Sequence, residues 1–567
     1  MSSITKTVTS SNDKKKPDEQ KKTFNGNDAF VSLKTSLQGN IETINTICIS
    51  LLQNWERLLQ FNYNTNEKDG TLLIALTYII QTILSIINDK YKYYLSNSEP
   101  LQQLIIIVPK IASLNIIDNL LEKDKRRSRQ TFIQLLDIIN KSSDLKRYIR
   151  KKSSLSVVHY YEIILYAILD VANKAAMYSV FETNDLKQFT SIFDSFKIYL
   201  TTYFNDNTKL DQLPSVCFEL QSNHKICISI LSLIWTLADK TKLVPLFISC
   251  GCPKSVLDWI QLSHLRFEHK RPLISIIHNL ARNPQGQSTF RKIDENGILD
   301  KIRPAIENYK DNDINVIYYM GYTLIYGHEL LELSLKELRN QETHYYKVAV
   351  IKHIFEYNIN ACYTSIEHKQ MSFNGFHLSE LLVVLEKLFI SDYIVQYCLE
   401  LGFSLQSEPI NYISLFSNTL LSIYGAITDG DERGKLACES IIYIIWSLTF
   451  FADKEIADQL KTIKGQLKSN GNLLLVLHRL TETDHTTIEA VKCILHNLDE
   501  LPLTSVIKNL ISFNKPVLSF SYTIQDKLFV KELLKQLSQE IYDIYPSWKH
   551  NQQKQSQKKP NTKSQGK

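Results

Sequence analysis

The sequence predicts an all-α protein whose helices stack into a long row, an α-solenoid. Only 16 glycines and 14 prolines occur in 567 residues, and this scarcity favours long helices over a β-rich fold with many tight turns. The chain is too long for one compact core, so it must form several domains or one extended array. A repeat in the middle of the chain favours the array.

The repeat is marked by a tripeptide of Trp, His or Tyr, then a small polar residue, then Leu. It occurs three times at spacings of 43 and 44 residues, as Trp235-Thr236-Leu237, His278-Asn279-Leu280 and Tyr322-Thr323-Leu324. The pattern returns at Trp446 and His496, 50 residues apart. Each tripeptide follows an apolar run and therefore marks a helix end. Because a helix with one apolar face must bury it, neighbouring repeats are predicted to stack, with Trp235 and Trp446 in the core.

One repeat is complete enough to resemble a known family. Residues 278–302, HNLARNPQGQSTFRKIDENGILDKI, are similar to an armadillo repeat: a helix end, a turn with Asn, a second helix, a break at Gly297 and a third helix. HEAT repeats remain the alternative, because their period overlaps. The resemblance implies a non-enzymatic scaffold that binds a protein or peptide in the concave groove of the solenoid.

The pattern changes near the end of the chain. Val517 to Tyr522 is a short β-prone run after Pro516, and Asp526 can cap an amphipathic helix that follows. A second β-prone run covers 541–545. Residues 514–548 are therefore predicted to form a short βαβ-like segment, and β structure is expected only after Pro516. An ordinary C-terminal helix with apolar flanks is the alternative.

This segment resembles the opening of a TIR (Toll/interleukin-receptor) domain. The matching residues are Phe520, Ser521, Tyr522, Asp526, Val530 and Trp548. The resemblance implies an armadillo-plus-TIR architecture in signal transduction, with a truncated TIR domain. It also leaves an alternative open: an inhibitory or metabolite-sensing fragment of an NAD-cleaving TIR enzyme whose catalytic part is missing here. A transcript that continues in frame into a helix with a catalytic Glu would favour this alternative.

Five regions are expected. They are a disordered tail over 1–28, a helical region of degenerate repeats or a capping bundle over 29–212, armadillo-like repeats over 213–510, the TIR-like segment over 514–548, and a disordered Lys/Gln-rich tail over 549–567. The last of these holds six lysines and no acid, enough to account for the net charge of +6. The remaining chain is near neutral, which argues against nucleic-acid binding.

No catalytic, cofactor or metal site is predicted. GHELLE at 327–332 lacks the second His of a zinc protease helix, and GDERGKL at 430–436 is too short for a phosphate loop, so it is expected to be a solvated loop. Cys250 and Cys252 lack partners at ligand spacing and are expected to be buried or in a turn. Scattered cysteines, the absence of an apolar N-terminal signal and the polar residues within 71–87 predict a cytoplasmic protein without a membrane span.

Two basic clusters flank one apolar stretch. They are KDKRRSR at 123–129 and KRYIRKK at 146–152, and a helical hairpin would bring them to one end. An ordinary solvated surface is the first interpretation. The functional alternative is a patch for an anion or an acidic partner, made of Lys125, Arg126, Arg127, Arg129, Lys146, Arg147, Arg150 and Lys151.

Overall fold

The computed structural model describes most of the central chain. The described ranges are 71–86, 97–142, 158–182, 189–207, 222–309, 312–405, 408–427, 431–451, 454–482 and 487–501, with single positions within 42–53 and 145–149. The chain divides into two compact units. The first unit is Met1–Tyr203 with Pro214–Leu233, and the second is Phe204–Leu213 with Ile234–Lys567. The described residues are almost entirely helical, as the sequence predicts.

The first unit is built around one long buried helix. Its helices are α1 (Thr71–Ile86), α2 (Glu99–Ala112), α3 (Asn115–Lys123), α4 (Lys125–Lys141), α5 (Val158–Tyr178) and α6 (Phe189–Asp206), and it also holds the first residues of α7 (Ser222–Ala238). Helices α2, α3 and α4 all pack against α5. Most apolar residues of α5, among them Ile164, Leu165 and Ile168, are fully buried, so α5 forms the core of this unit.

The second unit holds the repeats found in the sequence. After the end of α7 its helices are α8 (Val244–Ser249), α9 (Cys252–Ile260), α10 (Phe267–Ala281), α11 (Pro284–Ile293), α12 (Ile298–Glu307), α13 (Asn312–Leu331), α14 (Leu335–Arg339), α15 (Gln341–His368), α16 (Leu378–Leu388), α17 (Asp392–Glu400), α18 (Tyr412–Ile423), α19 (Glu432–Thr449), α20 (Lys454–Gln459), α21 (Lys461–Ser469), α22 (Gly471–Glu482) and α23 (Ile488–Asn497). Short 3-10 turns lie at Thr241–Leu243 and Tyr424–Ile427.

Five of these helices form a central row: α10, α13, α16, α19 and α23. Each packs against the next one in the row. Helices α15, α18 and α22 form a second row that covers the later members of the first. The tripeptides lie at helix ends, as predicted, since those at His278 and Trp446 close α10 and α19. The tripeptide at Tyr322 comes just before Tyr326, where α13 kinks with a φ of −110° and a ψ of 16°.

The asparagine of the tripeptide connects successive repeats. The side-chain amide of Asn279 donates to the backbone oxygen of Trp235 over 3.4 Å, and that of Asn497 donates to the hydroxyl of Thr449 over 3.3 Å. In both pairs the acceptor lies at the helix end of the preceding repeat. The break at Gly297 is confirmed too, because this residue precedes α12 with a φ of 59°, which favours glycine.

Three helices of the central row are buried on every side along their middles. Residues 272–281 of α10, 316–325 of α13 and 440–451 in and after α19 are buried without interruption, so no face of these helices is open along those stretches. Trp446 is accordingly in the core, as predicted, with 1% of its surface exposed. The same prediction for Trp235 is wrong, since 36% of it is exposed. The two tryptophans share a repeat position, but different neighbours cover them.

The expectation of β structure only after Pro516 is also wrong. Two short antiparallel hairpins occur, β1 (Ser372–Phe373) with β2 (Phe376–His377), and β3 (Ser404–Leu405) with β4 (Glu408–Pro409). The first turns at Asn374 and Gly375, with φ values of 48° and 83°, a pair that suits a two-residue hairpin loop. Its phenylalanines pack on Tyr357 of α15. Residues 514–548 lie outside the described ranges, so the βαβ-like segment stays a prediction.

Two further expectations can be compared with the structure. Cys250 and Cys252 are buried, as are the other cysteines of the described ranges. Among the helices described, none is by itself long and apolar enough to cross a bilayer, although two bent pairs, Glu99–Ala112 with Ile117–Lys123 and Thr241–Ser249 with Cys252–Ile260, pass on length and composition.

Candidate functional site

Four charged side chains from distant parts of the sequence meet in the second unit. We call them the charge cluster: Asp239, Arg282, Glu380 and Arg433. A guanidinium nitrogen of Arg282 lies 2.6 Å from one carboxylate oxygen of Asp239, and another lies 3.6 Å from Glu380. Arg433 approaches the same two carboxylates at 3.4 and 4.0 Å. The two arginines therefore share two acids.

Helix ends position these four residues. Asp239 follows the last residue of α7, and Arg282 follows α10 and also donates to the backbone oxygen of Asp239 over 3.1 Å. Glu380 and Arg433 lie in the first turns of α16 and α19. Asp431 begins α19 by accepting from the backbone N–H of Arg433 over 3.1 Å, a normal N-cap that holds the start of this helix in place.

The surroundings of the cluster set its charge states. Burial disfavours the ionised form of Asp239, but the guanidiniums of Arg282 and Arg433 outweigh it and lower the pKa of this carboxyl below its ordinary value. Burial raises the pKa of Glu380, and the same two arginines oppose the rise. Burial, with a further contribution from Arg282, lowers the pKa of His278 to about 3. His278 is therefore neutral near pH 7, and the cluster itself combines two arginines with two acids.

Two exposed apolar residues flank the charge cluster. Trp235 lies one turn before Asp239 on α7, and Leu436 lies one turn after Arg433 on α19, with 42% of its surface exposed. The Arg433 side chain is 56% exposed although it contacts two carboxylates. We call Trp235, Arg433 and Leu436 the docking surface. Tryptophan and arginine are the residue types that most often dominate the energy of protein interfaces.

The interpretation of GDERGKL as a solvated loop is wrong for its described residues. Asp431 caps α19, and the residues from Glu432 onward are its first turns. The sequence contains a signal for this, because an Asp before a long apolar run is a helix start. No local signal pairs Arg433 with Asp239, which lies 194 residues earlier.

The first basic cluster lies at the start of α4 and is partly paired with acids. Asp124 caps this helix and lies 3.8 Å from the guanidinium of Arg127. Arg129 pairs with Glu182 at 3.3 Å, while Lys125 and Arg126 are exposed. The second cluster, with Lys146, Arg147, Arg150 and Lys151, lies outside the described residues. The combined anion patch therefore stays a prediction.

The other predicted positions do not form a site within the described ranges. His328 is exposed and Glu329 pairs with Lys347 at 2.9 Å, as expected for ordinary helix residues. Within the part of the chain that the structure describes, no group of three or more His, Cys, Asp or Glu side chains is arranged to hold a metal ion. The TIR-like residues, from Phe520 to Trp548, lie outside the described ranges.

No family model and no curated protein matches the sequence. Several solved structures are similar in fold. An engineered protein matches with a TM-score of 0.40 and 9% identity, over 83% of this chain and 99% of that one. A structure reported with a conserved phosphorylation switch that controls the interaction between cadherin and beta-catenin has a TM-score of 0.27 and 13% identity, over 75% of this chain and 96% of that one. A SYS-1/POP-1 complex has a TM-score of 0.27 and 11% identity, over 86% and 100%. At TM-scores this low, the similarities assign neither a family nor a function.

Proposed function

We propose that this chain is a non-enzymatic helical-repeat scaffold of the armadillo type, which binds a protein or peptide partner at the docking surface. The observation that carries the proposal is the 36% exposure of Trp235. Tryptophan is mostly buried in folded proteins, and here it precedes by one helical turn Asp239, which pairs with the solvent-exposed guanidinium of Arg433. A role in TIR-linked signalling belongs to the same proposal and depends on residues 514–548.

The location of the contact follows from burial. The middles of α10, α13 and α19 are covered on all sides, so a partner can contact these three helices at their ends. The docking surface lies at such ends, where α7 and α10 finish and α16 and α19 begin. Asp239 and Glu380 orient Arg433 before any partner arrives, which reduces the side-chain entropy lost on binding.

Substitution of the docking surface should remove binding and leave the fold intact. We expect Trp235→Ala to weaken the Kd for a partner about 30-fold or more, since central Trp contacts at interfaces are worth about 2 kcal/mol or more. Arg433→Glu should act in the same direction, because it places a third carboxylate beside Asp239 and Glu380. The measurement is cross-linked capture with the full chain, followed by titration of one captured partner in purified form.

Tyr345 provides the matched control. It is a large aromatic residue on α15 with 66% of its surface exposed, and it does not belong to the charge cluster. Tyr345→Ala should bind the purified partner as the wild type does. Equal affinity for wild type, Trp235→Ala and Arg433→Glu would show that the partner binds elsewhere. An equal loss of affinity in Trp235→Ala, Arg433→Glu and Tyr345→Ala would mean that the substitutions do not act through the docking surface.

We also expect that this chain does not cleave NAD. Residues 514–548 match only the first strand, first helix and second strand of the TIR pattern, and the catalytic glutamate of the NAD-cleaving members belongs to a later helix. Purified protein at high concentration should release no nicotinamide from NAD above a heat-killed control, as followed by chromatography. Turnover above that control would favour the alternative of a TIR enzyme.

A further inference from the structure

The start of α10 is positively charged and has no capping side chain. Arg266 occupies the N-cap position, and its side chain makes no capping hydrogen bond. The N–H groups of His269 and Lys270 both donate to the backbone oxygen of Arg266 over 3.1 Å. The N–H groups of Phe267 and Glu268 come earlier in the helix and have no partner within it, so they face its open N-terminal end. This end carries the positive pole of a 15-residue helix.

A lysine with little exposed surface lies in the same turn. Lys270 is only 6% exposed, and no carboxylate of the described residues pairs with it. Burial accordingly lowers its pKa below the ordinary value, with no opposing contribution from an acid. Since helical side chains lean toward the N-terminus of their helix, the Lys270 side chain extends toward the uncapped end.

A second cation next to Lys270 has one buried donor without a partner. The Nε of Arg271 is buried and has no hydrogen-bond partner within the described part of the chain. The acid in this turn is Glu268, and its carboxylate lies 3.6 Å from the guanidinium of Arg266. Lys270 and Arg271 are thus two neighbouring cations, the first buried and the second half-buried, and no acid of the described residues pairs with either. Such an arrangement is costly unless an anion binds to it.

We propose that the start of α10 binds a small oxyanion of the phosphate class, held by the ammonium of Lys270, the guanidinium of Arg271 and the open N–H groups of Phe267 and Glu268. Phosphate and sulfate supply several acceptor oxygens for such a set of donors, and helix N-termini favour negative charge. The near-complete burial of Lys270 restricts the ligand to a compact group. This set of residues shares no member with the docking surface or with the basic clusters at 123–129 and 146–152.

The test is a titration of the full chain with sodium phosphate or sodium sulfate against sodium chloride at equal ionic strength. Binding is measured by phosphorus NMR line broadening, and stability by thermal unfolding. We expect phosphate and sulfate to raise the melting temperature and chloride to leave it unchanged. Lys270→Met, which keeps the chain length and removes the charge, should weaken phosphate binding about tenfold or more, the usual effect of losing a charge-assisted hydrogen bond. Lys270→Arg should retain the response.

Lys254→Met is the control, because Lys254 is an exposed lysine on α9 and its loss should change nothing. Phosphoserine replaces phosphate in a parallel titration. Tighter binding of inorganic phosphate identifies a free ion as the ligand, and tighter binding of phosphoserine identifies a phosphorylated side chain. If phosphate and chloride act equally on the wild type, the proposal is wrong. It is equally wrong if Lys270→Met responds to phosphate as the wild type does. If Lys270→Met does not fold, the comparison of phosphate with chloride on the wild type still tests the proposal.

Discussion

Replacing Trp446 with Ala should lower the free energy of unfolding by about 3–5 kcal/mol, the range for a large aromatic residue removed from a core. Trp446 is 1% exposed, and its ring stacks on that of Phe450 with centroids 5.2 Å apart. It lies on α19, which packs against α16, α18 and α23. The surrounding helices are themselves packed, so they cannot close around the space that the indole leaves.

Trp235→Ala is the matched control for this prediction. The two tryptophans occupy the same position in the repeat, but Trp235 is 36% exposed. Its loss should cost about 1 kcal/mol or less, as is usual for partly exposed positions. Both variants are to be compared with the wild type by urea unfolding followed by circular dichroism, with the midpoint and slope fitted separately. A Trp446→Ala variant as stable as Trp235→Ala would show that α19 is not in the core of the unit.

Gly286→Ala should destabilise the protein by about 3 kcal/mol, at the upper end of the cost of overpacking. Gly286 lies in the first turn of α11, against the backbone at the end of α10. A Cβ atom at this position would overlap the carbonyl oxygen of Leu280 and lie 2.7 Å from its carbonyl carbon. The obstacle is backbone, so no side-chain rotation relieves it and the turn between α10 and α11 must open.

Gly465→Ala is the matched control, because it makes the same substitution at a position with space for a Cβ atom. Gly465 lies inside α21, and a Cβ atom at this position would meet nothing within 4 Å. Alanine there should raise the free energy of unfolding by about 0.5–1 kcal/mol, because glycine loses more conformational freedom on folding. Thermal and urea unfolding of both variants measure the contrast. Equal stabilities would mean that the backbone of α11 does not approach the end of α10 this closely.

Much of the fold could be predicted from local patterns. The tripeptides at His278 and Trp446 mark helix ends because a polar turn follows an apolar run there, and Gly297 marks a break because its positive φ favours glycine. The Asn-Gly pair at 374–375 is an equally local signal for a hairpin. Taken by itself, this signal predicts β structure well before Pro516, where the sequence analysis did not expect it.

The candidate site could not be predicted in the same way. Asp239 and Arg433 are 194 residues apart, and a balanced cluster of two arginines and two acids leaves no excess of charge in the sequence. The basic clusters at 123–129 and 146–152 are conspicuous in the sequence because their charges are consecutive. In the structure, Asp124 pairs with Arg127 and Glu182 pairs with Arg129, so part of the first cluster is neutralised.

The sequence by itself determined that the chain forms helices, where many of them end, and that they repeat about every 43 residues, because these properties depend on residues a few positions apart. The tertiary structure alone decided that Trp446 is enclosed while Trp235 is exposed, that Arg282 and Arg433 share Asp239 and Glu380, and that Lys270 is buried with no acid of the described residues paired to it. Burial and charge pairing depend on which helices come to lie next to each other, and that is a property of the packed unit rather than of any single segment.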